Sequence, residues 1–190
     1  MLVVVLSDDF DLERLLVDLT GPLRLHMFVQ SSPRTLNILF ERHGIVPLRR
    51  FARMGIPPGQ QEVDTATAFF ARLTKDIMDR VSSVIVQLGS LHLLALMGVA
   101  PGVLMLEIEV HDAFGPEDRI ADSIPIGRIG ENLPQLKRII IKPGQLNMAR
   151  PNHRLLSQLM YKFYGDVEGQ TGGQSRPEMI VIGFSVSALS

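Results

Sequence analysis

The chain has 190 residues, 46% of them hydrophobic and 21% charged, with a formal net charge of −1 and a mean hydropathy of +0.20. That length supports one core without staples, and the composition excludes a disordered tail. There is no cysteine, so a disulfide framework and a thiolate metal site are both excluded; no apolar run approaches bilayer length, and the expected setting is the reducing cytoplasm.

Residues 2–6 form a β-branched run and predict a buried first strand. They are short, lack a basic flank and meet Asp8 and Asp9 at once, which argues against a signal peptide. Residues 9–19 predict a helix with Leu12, Leu15, Leu16 and Leu19 on one face. Residues 23–30 alternate apolar and polar, the pattern of a half-buried strand. Ser31, Ser32 and Pro33 resemble a helix start, so residues 33–43 predict a helix with Leu36, Leu39 and Phe40 inward. A short strand is expected at 45–48 and a Gly/Pro loop at 55–59. The longest helix is expected over 61–81, a buried strand over 84–88 and a short helix over 91–97.

From residue 103 the rhythm changes. Residues 103–110, 124–129 and 136–141 predict strands with little helix between them, which pair most simply as antiparallel neighbours. A last helix is expected over 152–164, a glycine-rich loop over 165–177 and a final strand over 179–184. The expectation is thus one α/β domain over residues 1–190, with a mixed sheet. Parallel βα units would fill the first half, and antiparallel strands plus one helix the second. A subdomain seam would fall near residues 98–102.

Charge is segregated along the chain. Between Glu131 and Asp166 there is no acid, while Lys137, Arg138, Lys142, Arg150, Arg154 and Lys162 all lie there. Arg49, Arg50 and Arg53 close an earlier basic stretch, and the acids concentrate before Asp18 and between Glu107 and Glu131. A single-sign patch points to an anionic partner, which those nine cations would meet. Fifteen of the nineteen Lys and Arg residues are arginine, the residue suited to bidentate contact with carboxylate or phosphate. Aromatic residues are 6% with no tryptophan, so base stacking is poorly supplied and any nucleic-acid binding would be sequence-indifferent.

Local catalytic signals are weak. Asp8 and Asp9 follow the first strand, where acids can hold a ligand or simply match a helix dipole. His92 follows a strand and a Gly89-Ser90 turn and could serve as a base or sit bonded to backbone. Glu107, Glu109 and His111 recur at period two, as divalent-ion ligands or as the solvent side of an edge strand. No phosphate loop, nucleophile elbow or paired-histidine zinc motif is present, so no cofactor or metal is expected. The expectation is a non-catalytic homo-oligomer, or subunit of a larger complex, that binds an anionic partner. The alternative is a small α/β hydrolase or ligand-binding enzyme built on Asp8, Asp9 and His92, which requires their two strands to be neighbours.

Overall fold

The computed structural model describes residues 2–4, 21–31, 34–42, 58–110, 126–143 and 177–181. Among these residues seven strands make one sheet: β1 (Leu2–Val4), β2 (Leu23–Ser31), β3 (Arg34–Arg42), β4 (Val81–Gln87), β5 (Met105–Val110), β6 (Arg138–Pro143) and β7 (Glu178–Val181). Their order across the sheet is β1-β3-β2-β4-β5-β6-β7. Helices α1 (Gln60–Ala71), α2 (Lys75–Arg80) and α3 (Ile126–Asn132) and a 3-10 segment (Leu88–Ala95) accompany it. The fold is α/β with a mixed sheet.

The first half holds the expected parallel pair, β2–β4, but also two antiparallel ones, and the second half is parallel where antiparallel neighbours were expected. The antiparallel pairs are β1–β3 and β2–β3, near the start. The pairs β2–β4, β4–β5, β5–β6 and β6–β7 are all parallel. Residues 111–137 and 144–177 are each long enough for the crossover of roughly a dozen residues or more that parallel neighbours need.

Three expected elements differ in kind. The helix expected over 33–43 is strand β3. Leu36, Ile38 and Phe40 enter the core at period two, and Leu39 lies on the opposite face across from His26. Leu36, Leu39 and Phe40 also fit a helical stripe, but nine consecutive register partners with β2 settle the conformation. The single helix expected over 61–81 is two helices. The Arg72 and Leu73 amides bond three residues back, to Phe69 and Phe70, and Thr74 is extended (φ −75°, ψ 157°), which ends one helix and starts the next. The strand expected over 124–129 is α3, where Ile129 and Leu133, four apart, both enter the core. The elements expected over 9–19, 45–48 and 152–164 lie outside the described residues.

One sheet face builds the main core. Leu25, Met27, Ile38, Phe40, Val84, Val86, Leu106, Ile108, Ile139 and Ile141 share it with Phe69 and Phe70 of α1 and with Leu91, Leu93 and Leu94 of the 3-10 segment. The Phe40 and Phe69 rings lie 6.3 Å apart, and Phe70 meets Phe69 edge-on at 5.6 Å. Phe28 and Ile85 point to the other face and are buried too, as expected for parallel strands flanked on both sides. Among the described residues no helix is long and apolar enough to cross a membrane.

Candidate functional site

Parallel strands make the two ends of the sheet chemically different. At the amino ends of β5, β6 and β7 the connecting backbone is tightly bound. The Lys137 and Arg138 amides both donate to the Leu104 carbonyl (2.9 and 3.1 Å), and the Glu178 amide donates to the Lys137 carbonyl (2.7 Å). The preceding turn is closed by the Val103 amide on the Ala100 carbonyl (3.2 Å), and the Ala100 amide is held by the Asn132 carbonyl at the end of α3 (2.8 Å). Val99 and Leu104 flank this turn, and they are the exposed large hydrophobics among the described residues, at 58% and 39%. Lys137 and Arg138 are exposed beside Leu104. A turn held by backbone bonds thus presents Leu104 next to cations, with Val99 at its other end.

Arg138 also pairs with Glu178 at 3.2 Å, both largely exposed, an arrangement worth little in water. Lys142, by contrast, is half-buried between Glu107 and Glu109, with its ammonium 3.3 Å from Glu109 and in direct contact with Glu107. Lys137 and Lys142 stand at opposite ends of β6, roughly 16 Å apart along an extended chain. The nine cations therefore do not all act as one patch, and Arg49, Arg50, Arg53, Arg150, Arg154 and Lys162 lie outside the described residues. Segregation along the chain does not survive folding among the described residues. Parallel pairing sets Glu109 of β5 directly beside Lys142 of β6, and Arg24–Glu41, Arg34–Glu62 and Lys75–Asp79 also mix the signs.

The face opposite the main core carries an unusual density of polar groups. Glu41 of β3 accepts from Arg24 Nη1 (3.1 Å) and bonds His26 Nε2 (3.0 Å), both on β2. Burial pushes the His26 imidazole below its ordinary pKa, and the Glu41 bond only partly offsets it. At the carboxyl ends of the strands, Gln87, Glu109 and Lys142 are successive register partners across β4, β5 and β6. Gln87 is 3% exposed and Ser90, just beyond it, 0%. Gln87 Oε1 and Ser90 Oγ have no hydrogen-bond partner among the described residues. β5 is an interior strand, so its Glu107 and Glu109 are not the solvent side of an edge. His111 lies outside the described residues, and no group of three or more metal-ligating side chains occurs among those described.

The site built on Asp8, Asp9 and His92 lacks its precondition. β3 and β2 stand between β1 and β4, which puts the two strands about 14 Å apart at ordinary strand spacing. Asp8 and Asp9 themselves lie outside the described residues. His92 is half-buried in the 3-10 segment with its ring bonded to the Gly89 backbone, and burial lowers its pKa. That is the neutral imidazole of a packed position.

Sequence reasoning missed Val99 and Leu104, because exposure of an apolar residue has no local signature. It also missed Gln87, whose signal was available: an amide directly after the apolar run of residues 84–86. No family model, curated protein or solved structure matches the chain.

Proposed function

We propose that the chain works by association rather than turnover, docking an acidic protein surface on the turn formed by Val99, Leu104, Lys137 and Arg138. The carrying observation is that the exposed large hydrophobics, among the described residues, flank one turn locked by backbone hydrogen bonds, with exposed cations bonded beside Leu104. Interfaces between proteins place apolar residues inside a polar rim, whereas a phosphate backbone asks only for clustered positive charge. Val99 and Leu104 therefore favour a protein partner over nucleic acid. A rigid turn also loses little entropy on docking. Self-association into an oligomer is the simplest form of this reading, since the chain carries acidic segments of its own.

The test is molar mass by size exclusion with light scattering at about 0.05 and 0.5 M salt, with polyglutamate and duplex DNA as added probes. The expected result is a salt-sensitive assembly or a polyglutamate complex that is lost in a Val99→Asp/Leu104→Asp double variant and weakened by Lys137→Glu. A monomer at both salt levels that ignores polyglutamate would overturn the proposal. So would DNA binding that survives the double aspartate variant, which would point to a phosphate partner instead.

A further inference from the structure

At the other end of the sheet we infer a second site, for a small molecule that presents hydrogen-bond donors, formed by Gln87 and Ser90 with Glu109 and Lys142 alongside. It does not depend on the association reading, because it shares no residue with the amino-end turn.

In α/β sheets, ligands bind beyond the carboxyl ends of parallel strands. Gln87 is the last residue of β4, a central strand with parallel neighbours on both sides. The chain then turns directly into the 3-10 segment, so Ser90 follows Gln87 by three residues. Gln87 is itself extended (φ −73°, ψ 144°) and caps the start of that segment, so the amide and the hydroxyl stand three residues apart where the strand ends. Buried polar atoms without partners are rare in folded proteins, and each calls for an explanation. Here two occur within three residues of one another, at the position where a ligand is expected.

The chemistry of the groups narrows the ligand. The unpartnered atom of Gln87 is an acceptor. Ser90 Oγ can accept as well as donate, and the neighbouring Glu109 carboxylate accepts only. Lys142 is already held by Glu107 and Glu109, so a molecule bearing an ammonium or hydroxyl groups satisfies the acceptors that remain, whereas a carboxylate or phosphate, with no proton to donate, does not. The leucines at 88, 91 and 94 pack into the core on the same segment, so the turn that carries Ser90 is held in place before any ligand arrives.

A site of this kind also has a thermodynamic signature. Leaving polar atoms buried and unpaired lowers the stability of the free protein, and replacing them by apolar groups of similar shape relieves that cost. The experiment compares wild type with Gln87→Met and Ser90→Ala by thermal unfolding and by ligand-observed NMR. The probes are methylammonium, glycerol and ethanolamine, with acetate as the acceptor-only control. The expected result is saturable binding of at least one donor probe and none of acetate. Gln87→Met should abolish that binding while melting no lower than wild type, and Ser90→Ala should weaken it several-fold. Response to methylammonium alone identifies an ammonium ligand, and response to glycerol alone a hydroxyl ligand. Absence of binding by all three donor probes would overturn the inference, as would binding unchanged in Gln87→Met. A crystal structure with a water on Gln87 Oε1 and Ser90 Oγ that no probe displaces would also overturn it, since a buried water satisfies the same atoms.

Discussion

Glu62 ties the start of α1 to the start of β3, and its removal should be measurable in a pH-dependent way. One carboxylate oxygen accepts from Arg34 Nε at 2.6 Å; the other accepts from Arg34 Nη2 at 2.9 Å and from the Gly59 amide at 2.7 Å. The bidentate Arg34 bond is the main reason that the Glu62 pKa falls from 4.5 to about 2, with the Gly59 amide contributing. Taken at face value that displacement would be worth about 3 kcal/mol. Arg34 is 47% exposed, however, and solvent screening brings the ion-pair part down to about 1 kcal/mol. Loss of the helix-start bond adds about 1 kcal/mol. Glu62→Ala should therefore cost about 2 kcal/mol at neutral pH, and Glu62→Gln, which keeps an acceptor for Gly59, about 1 kcal/mol. The sign follows from the depressed pKa. The stabilisation is complete above the unfolded value of 4.5 and is lost as pH falls from there toward about 2. Urea unfolding of wild type and Glu62→Gln across that range is the assay. The gap between them should close on acidification, because a proton on Glu62 does what the amide does. A gap that stays constant from neutral pH to about 2.5 would show that the charge of Glu62 contributes nothing.

Three further substitutions probe the turn that carries the proposed docking surface. A Cβ on Gly102 would lie 2.9 Å from the Val81 carbonyl oxygen and closer still to that of Asp79, both of them backbone. Gly102→Ala should thus destabilise by about 2 kcal/mol in chemical denaturation, while Gly98→Ala, where a Cβ meets nothing within 4 Å, should change stability by no more than about 0.5 kcal/mol. Asn132 Nδ2 donates to the buried Leu94 and Met97 carbonyls. Asn132→Ala should cost about 2–3 kcal/mol by leaving both unpaired, and hydrogen exchange should quicken at Ala100 and Val103.

Much of the sheet was legible because period-two burial is written in side chains. The alternation of Leu23, Leu25, Met27 and Val29 places β2 correctly, and the strand expected over 84–88 overlaps β4, which starts three residues earlier and stops one sooner. Failures arose where the same residues satisfy two periods. Leu36, Leu39 and Phe40 fit a helix as well as Leu36, Ile38 and Phe40 fit a strand, and only the partner strand β2 decides between them. Strand direction was not legible for β5 and β6. It depends on how the chain crosses between them, and alternation is the same in either sense. The candidate sites were hidden for a related reason. Val99 falls in the segment expected as a seam and Leu104 in a predicted strand, and neither place marks its side chain as exposed, while Gln87 gains meaning only from lacking a partner.

Charge shows most clearly how topology overrules linear pattern. The acidic and basic stretches are separate along the chain, so they suggest separate surfaces. A parallel register sets β5 and β6 side by side, and every second residue of each then shares a face. Glu107, Glu109 and Lys142 consequently meet in a half-buried cluster, while Lys137, opposite in parity and at the other strand end, stays exposed. Neutralisation at the carboxyl end and exposed cations at the amino end are two results of one register. The two proposed surfaces therefore have different salt responses. Docking at Lys137 and Arg138 should weaken steeply as ionic strength rises, because both cations face solvent. Donor binding at Gln87 and Ser90 should change less, because those atoms are buried and buried contacts are screened much less. Equal salt dependence at both ends would mean that the two surfaces are not separate.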